Sequence, residues 1–188
     1  TSIIDVVIDH QKVRFEEIGI GRYIELGGID FDARLAETLL NEFFERNNIL
    51  DGTLPQKEKE IMYRRLLLGA ETIKEQLTAR INLKRMHDPD CDPNMVEAKY
   101  NIPNFYEKKP YSLILTKQAY DDYTKDLYRD SKIKSRKFED VDRNKNLISP
   151  IRETLEQYNI DKDSIDYVFM TGGMSKFPTV QEKISEYI

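Results

Sequence analysis

Two stripes of apolar residues at helical spacing do most to constrain the fold of this 188-residue chain. Phenylalanine and leucine recur about every four positions between residues 31 and 44, and a second apolar set recurs between 62 and 77. This spacing places the apolar side chains on one face of a helix. Asp30 is placed to cap the first helix, and Thr53 with Gln56 has capping-box spacing before the second. The sequence therefore predicts two helices, each with one buried face.

Short β-branched runs predict strands around these helices. Residues 3–8 (IIDVVI) and 12–20 (KVRFEEIGI) are separated by Asp9-His10-Gln11, an arrangement typical of a β-hairpin. The same criteria predict further strands at 79–86, 95–102, 111–115 and 166–170. They also predict a helix that Thr116 caps, a helix around 148–158 and a helix from about Pro178. The sequence therefore predicts a chain that contains both strands and helices.

Composition excludes several classes of protein. Twenty-nine Lys and Arg residues against 34 Asp and Glu give a net charge of −5, which argues against nucleic acid as the main partner, because phosphate binding depends on concentrated positive charge. No stretch approaches the roughly 20 consecutive apolar residues that span a bilayer, and none reads as a signal peptide. We therefore expect no membrane partner and a cytoplasmic location. The single cysteine, Cys91, excludes an internal disulfide and a multi-thiolate zinc site.

A glycine pair follows the predicted strand at 166–170. In the run 171–178 (TGGMSKFP), Gly172 and Gly173 would let the backbone approach a ligand closely, and the following helix would direct free N–H groups toward it. Proteins bind nucleotides in this way at the carboxyl ends of strands. A tight turn that needs glycine only for its dihedral angles has the same pattern, so the pattern alone leaves both interpretations open.

A second polar group lies on the helix that carries the 62–77 stripe. Glu71, Lys74 and Thr78 are spaced i, i+3, i+7 and so share one face of that helix. A carboxylate and an ammonium one turn apart can hydrogen-bond the two hydroxyls of a ribose, and a hydroxyl one turn further can reach a base. An ordinary solvated face with a weak ion pair would have the same spacing.

Two other polar segments favour simpler interpretations. The acidic residues of 88–94 alternate as in the first half of a calcium loop, but Pro93 and Lys99 occupy the positions that require Gly and Glu. We therefore predict a turn that connects two strands and no metal site. Residues 131–146 have almost no apolar content and mixed charge, which indicates a solvated segment.

Three motifs in register resemble one lobe of the ATPase domain of the seventy-kilodalton heat-shock chaperones, the DnaK type. The family run LGGEDFD corresponds to residues 26–32 (LGGIDFD). The family pattern E-x-x-K-x-x-x-S, which contacts ribose and adenine, corresponds to Glu71, Lys74 and Thr78, and the adenosine loop GGSTRIP corresponds to residues 172–178 (GGMSKFP). The order and separations of the three motifs fit, so the resemblance covers nearly the whole chain.

The resemblance implies an α/β actin-like ATPase (ribonuclease H-like) fold. Residues 1–28 with 147–188 would form a partial ribonuclease H-like subdomain of lobe II, and 29–146 an inserted α+β subdomain. It implies ATP or ADP as the ligand, with the base held between the helix and the glycine loop. The residues implied to contact the nucleotide are Glu71, Lys74, Thr78, Gly172, Gly173, Met174, Ser175, Lys176 and Thr1, the last of which ends the family's phosphate loop.

Several positions depart from the family pattern. Lys176 stands where a planar arginine commonly stacks on adenine, and Glu75 stands where some members have a second stacking arginine. Met174 replaces a serine and so removes a hydroxyl donor, and Ile29 replaces an acidic residue. These departures imply a weaker hold on the base than in typical members.

The resemblance also implies that the chain is a fragment. The phosphate-binding glycines, the magnesium-binding aspartates and the first lobe would precede Thr1, so we expect no ATP hydrolysis by this chain alone. Expected partners are a nucleotide-exchange factor on residues 29–146, the remaining chaperone domains, and a second copy joined by dimerisation or strand exchange at unpaired strand edges.

Two other classes of function remain as alternatives. One is a divergent, non-enzymatic interaction module on the same fold, with the 131–146 segment as its contact surface. The other is another enzyme on the actin-like scaffold, such as a sugar kinase, which ranks lower because such enzymes lack this order of motifs.

Overall fold

A computed structural model describes most of the chain and divides it into two compact units. The described residues are 1–9, 12–21, 26–50, 52–129 and 146–188. Unit 1 comprises residues 1–26, 126–175 and 179–188, and unit 2 comprises 27–125 and 176–178.

The described residues form both strands and helices, as the sequence predicts. In chain order the elements are β1 (Ser2–Asp9), β2 (Lys12–Ile20), α1 (Gly28–Arg46), α2 (Gln56–His87), β3 (Glu97–Tyr106), β4 (Lys109–Thr116), α3 (Lys117–Thr124), α4 (Ser149–Tyr158) and α5 (Pro178–Tyr187). Within the described ranges, no helix combines the length and apolar character needed to cross a membrane.

The predicted hairpin of unit 1 is confirmed. Strands β1 and β2 pair antiparallel from Ser2 opposite Ile20 to Asp9 opposite Lys12. The predicted turn includes His10 and Gln11, which lie outside the described residues. Helix α4 holds the end of β2, because the Tyr158 hydroxyl lies 3.3 Å from both the amide nitrogen and the carbonyl oxygen of Ile20.

Large apolar side chains of unit 1 remain exposed. Phe15 on β2 is 70% exposed and Ile8 on β1 is 74% exposed, whereas Ile3 is buried.

The strand predicted at 166–170 is wrong, because among the described residues the sheets are β1–β2 and β3–β4 and this segment pairs with neither. An apolar run becomes a strand only where a neighbour takes up its backbone hydrogen bonds. Phe169, in this run, is 89% exposed.

The core of unit 2 follows the predicted stripes closely. Helices α1 and α2 pack together, and β3 and β4 pair antiparallel beside α2. The buried side chains include Phe31, Leu35, Leu39 and Phe43 on α1, and Met62, Leu66, Ala70, Ile73, Leu77 and Ile81 on α2.

The strand predicted at 79–86 is wrong. Helix α2 continues to His87, because its buried stripe extends one turn past Leu77 to Ile81. The predicted strands at 95–102 and 111–115 are present as β3 and β4, which pair with each other. The acidic segment 88–94 therefore connects a helix to a strand and not two strands.

The helix starts agree only in part with the predicted caps. Asp30 lies inside the first turn of α1, where its carboxylate accepts a hydrogen bond of 2.7 Å from the Gly27 amide. The predicted capping box of α2 is wrong, because the Thr53 hydroxyl donates to the Leu50 carbonyl and no side chain caps the helix at Pro55. The predicted cap of α3 is confirmed, since Thr116 Oγ1 accepts from the Ala119 amide at 3.2 Å.

The 131–146 segment is described only at its last residue. Residues 131–145 lie outside the described residues. Asn146 is 1% exposed, and its Oδ1 accepts a hydrogen bond of 2.8 Å from the Ser149 amide at the start of α4. The prediction of a solvated segment is therefore wrong at Asn146. The expected pairing of a second copy at strand edges stays a prediction.

Glycine 69 lets α2 lie close to the β3–β4 sheet. A Cβ atom at this position would lie 2.8 Å from Leu113 Cδ1 and 3.3 Å from Ile102 Cδ1. Glycine inside a helix costs about 1 kcal/mol relative to alanine. The close approach of helix and sheet is the physical reason for glycine at this buried point.

We predict that Gly69→Val lowers the free energy of unfolding by about 1–3 kcal/mol, because the added carbons overfill this contact. Gly69→Ala should change stability less, since its gain in helix propensity offsets part of the crowding. Urea unfolding followed by circular dichroism measures both effects. Glu60→Val, at an exposed position of α2, is the control for the helix propensity of valine, and an equal loss there would contradict the packing explanation.

Candidate functional site

The predicted polar face of α2 is present as a continuous helical surface. Glu71, Lys74 and Thr78 all lie within α2, with Glu71 exposed and the other two partly buried. The Thr78 hydroxyl donates a hydrogen bond of 2.8 Å to the Lys74 carbonyl. Its oxygen lone pairs remain able to accept a hydrogen bond from a ligand.

The Lys74 side chain is anchored to the start of α1. Its Nζ lies 2.5 Å from Asp32 Oδ2 and 3.2 Å from the Gly28 carbonyl oxygen. The side chain of Lys74 is 14% exposed and that of Asp32 is 6% exposed, so water screens this ion pair little. An ammonium has three N–H donors, and these two acceptors leave one for a ligand.

Burial dominates the electrostatics of Asp32. It raises the pKa of the Asp32 carboxyl above its ordinary value of 3.8, although the hydrogen bond and positive charge of Lys74 act to lower that pKa. The negative charges of Glu71 and Glu75 raise it further. Within the described part of the chain, Asp32 Oδ1 is buried without a hydrogen-bond partner. The carboxylate is thus held mainly through one oxygen, by Lys74.

Sequence reasoning did not identify Asp32 and Gly28 as partners of Lys74, from which they are separated by 42 and 46 positions. A local signal for Asp32 does exist. It directly follows Phe31 and lies three residues before Leu35, so it falls on the buried stripe of α1. A carboxylate at such a position needs a buried cation or donor, and this requirement points to an unidentified partner.

The glycine loop of unit 1 forms a tight turn with an open surface. Gly172 has φ +93°, a conformation that favours glycine, and residues Gly173–Lys176 form a short 3-10 helix. The Ser175 amide and hydroxyl both donate to the Gly172 carbonyl, at 3.2 and 2.6 Å. No atom lies within 4 Å of where a Cβ of Gly172 or Gly173 would be, so both glycines border open space.

The residues that follow this turn belong to unit 2. Lys176 is exposed, whereas Phe177 is completely buried and its ring lies 4.8 Å from that of Tyr120 on α3. Phe177 thus fixes the backbone of residues 176–178 to the core of unit 2. Sequence reasoning named Lys176 but gave Phe177 no role.

The other predicted nucleotide-contacting residues, Met174, Ser175 and Thr1, belong to unit 1. Met174 and Ser175 are partly buried in the turn of unit 1. Thr1 is exposed, and its carbonyl accepts a hydrogen bond of 2.9 Å from the Gly21 amide. The expectation that the α2 face and the glycine loop meet on one purine concerns both units and stays a prediction.

The acidic segment after α2 is organised by a short-range cap. Asp92 Oδ1 accepts a hydrogen bond of 2.9 Å from the Asn94 amide and begins a 3-10 turn over Pro93–Met95. In the described residues, no group of three or more His, Cys, Asp or Glu side chains is placed to hold a metal ion.

Part of the chain matches a known protein family. Residues 110–188 match the family model described as Hsp70 protein, and over these residues the resemblance identified from the motifs is confirmed. The matched part begins in β4 and includes the glycine loop. Helix α2 lies outside it, so the interpretation of Glu71, Lys74 and Thr78 depends on motif spacing and on the geometry described above.

We predict that the pH dependence of stability carries a signature of Asp32. Because its pKa is raised by folding, the folded state binds more protons than the unfolded state between pH 3.8 and the folded pKa. The free energy of unfolding contributed by Asp32 therefore falls as pH rises through that range. Urea unfolding of the wild type and of Asp32→Asn at a series of pH values should show the wild type gaining relative stability as the pH is lowered toward 3.8. A difference that is independent of pH, or one of opposite sign, would contradict the burial of this carboxyl.

Proposed function

We propose that this chain, which over residues 110–188 is Hsp70-family sequence, supplies adenosine-contacting residues of a chaperone ATPase domain. The observation that carries the proposal is that the matched part contains the glycine loop. Family membership supports a chaperone that binds ATP or ADP. We further propose the actin-like fold and the lobe II assignment, with the 1–28, 147–188 and 29–146 division expected from the sequence.

The α2 face has the chemistry to bind a ribose. The exposed Glu71 carboxylate can accept hydrogen bonds from sugar hydroxyls, and the remaining N–H of the Lys74 ammonium can donate one. The Lys74 ammonium is already fixed by two acceptors, so a ligand that binds there loses little free energy to ordering of this side chain.

The glycine loop has the chemistry to accept a flat base. Gly172 and Gly173 present backbone without side chains to open space, so an aromatic ring could lie directly against the peptide planes. The Ser175 hydroxyl is already engaged with the Gly172 carbonyl, which keeps this turn in shape before a ligand arrives. Lys176 can place positive charge near the base but lacks the planar guanidinium that stacks best.

Hydrolysis of ATP requires contacts to the phosphates and to a metal ion. The residues proposed here contact the nucleoside part of ATP. The role proposed for this chain is to hold and orient the nucleoside end. In the intact protein, a nucleotide-exchange factor on residues 29–146 and the remaining chaperone domains would act with it. The alternative is an interaction module that has kept the fold and lost the nucleotide.

We predict that Lys74→Met weakens binding of adenosine and ADP by about ten- to a hundredfold, because it removes a charged hydrogen bond worth about 1.5–3 kcal/mol. Glu71→Gln should weaken it by about five- to tenfold, because an amide oxygen accepts a weaker hydrogen bond than a carboxylate. Isothermal titration calorimetry on the 188-residue chain measures the affinities. Glu60→Gln, at an exposed position of the same helix, is the matched control and should bind as the wild type does. A wild type that binds neither ligand would refute the nucleotide role and favour the interaction module.

We predict that Gly173→Ala weakens binding of the same ligands and leaves thermal stability unchanged, since its methyl group would point into open space in the free protein. Gly27→Ala, where a Cβ likewise meets no atom within 4 Å, is the control for affinity and should bind as the wild type does. Thermal unfolding and calorimetry of both variants separate the two properties. If Gly173→Ala binds these ligands as tightly as the wild type, the proposed contact between the base and Gly173 is wrong.

A further inference from the structure

We propose that Asp32 and Gly28 make the α2 face specific for an unphosphorylated ribose, so that it accepts a free 2′,3′-diol and rejects a 2′- or 3′-phosphate. This inference rests on the nucleoside-binding role proposed above. It gives a role to Asp32 and Gly28, which are not among the residues predicted to contact the nucleotide.

The first argument is the direction of the Lys74 ammonium. Asp32 Oδ2 and the Gly28 carbonyl oxygen accept two of its three N–H groups, at 2.5 and 3.2 Å. A Cβ at Gly28 would lie 3.1 Å from Lys74 Nζ, so even a methyl group there would crowd the ammonium. Lys74 is therefore a single directed donor, which suits one hydroxyl and not the several oxygens of a phosphate.

The second argument is charge. The charged groups that act on the Asp32 carboxyl are the Lys74 ammonium and the carboxylates of Glu71 and Glu75. Asp32 neutralises the positive charge of Lys74, and the two glutamates leave the surface around it negative. A neutral diol meets no repulsion there, whereas a phosphate brings more negative charge beside these carboxylates.

A purely structural role for the ion pair is the competing explanation. Unit 2 offers a matched pair, because Lys117 Nζ lies 2.8 Å from Asp121 Oδ2 and the two side chains are 4% and 16% exposed. Both ion pairs are buried to a similar degree, but Asp121 lies on α3 and not beside the Glu71–Thr78 face. Substitution at Asp121 thus measures the loss of a buried pair without disturbing Lys74.

The test compares adenosine with adenosine 3′-phosphate on the full chain by calorimetry. We expect the wild type to bind adenosine about tenfold or more tightly than the 3′-phosphate, which corresponds to about 1.4 kcal/mol of repulsion. Asp32→Asn should weaken adenosine binding and reduce this ratio to near one, because Lys74 regains a free positive charge. Asp121→Asn should keep the wild-type ratio.

Gly28→Ala provides a second variant in case Asp32→Asn fails to fold. Its methyl group should displace the ammonium from the Gly28 carbonyl and reduce the ratio in the same direction. If the wild type binds adenosine and its 3′-phosphate equally, or if Asp121→Asn reduces the ratio as Asp32→Asn does, the specificity inference is wrong while the nucleoside role stands. If the wild type does not bind adenosine, the proposed function itself fails.

Discussion

The burial of one apolar stripe along helix α2 sets the direction in which the polar side chains of the same helix point. With 3.6 residues per turn, fixing Ala70, Ile73 and Leu77 in the core also fixes the direction of the residues between them. Glu71 then faces solvent, while Lys74 falls at the edge of the buried surface, where its stem packs and its ammonium can reach α1. The site geometry is therefore a consequence of core packing.

The Asp32–Lys74 pair is better explained by orientation than by stability. Burial raises the pKa of Asp32 despite the adjacent ammonium, so the loss of solvation outweighs what the partner returns. A chain under selection for stability alone could place an apolar pair between α1 and α2 at lower cost. A partly satisfied carboxylate next to a fixed cation is what a binding surface needs when one donor must point in one direction.

Local patterns predicted the elements that depend on a helix's own periodicity, and failed where a distant partner decides. The stripes of α1 and α2 and the Thr116 cap are properties of a few neighbouring residues. Residues 79–86 and 166–170 each have strand-like composition, but the first continues a helix whose core contact extends to Ile81, and the second has no paired strand in the described part of the chain. Strand formation requires a neighbour, and a short sequence window carries no information about one.

The candidate site shows the same difference between what a local pattern predicts and what tertiary packing decides. Spacing was sufficient to place Glu71 and Lys74 on one face, because that is a property of a single helix. It could not reveal Asp32, since only tertiary packing of α1 on α2 brings a carboxylate to Lys74 over 42 positions. In the specificity that we propose, this partner changes the face from a free cation suited to phosphate to a neutralised donor suited to a hydroxyl. The residues that we propose to contact a ligand are thus readable from a motif, whereas the residue that we propose to decide their preference becomes visible only through the packing of the helices.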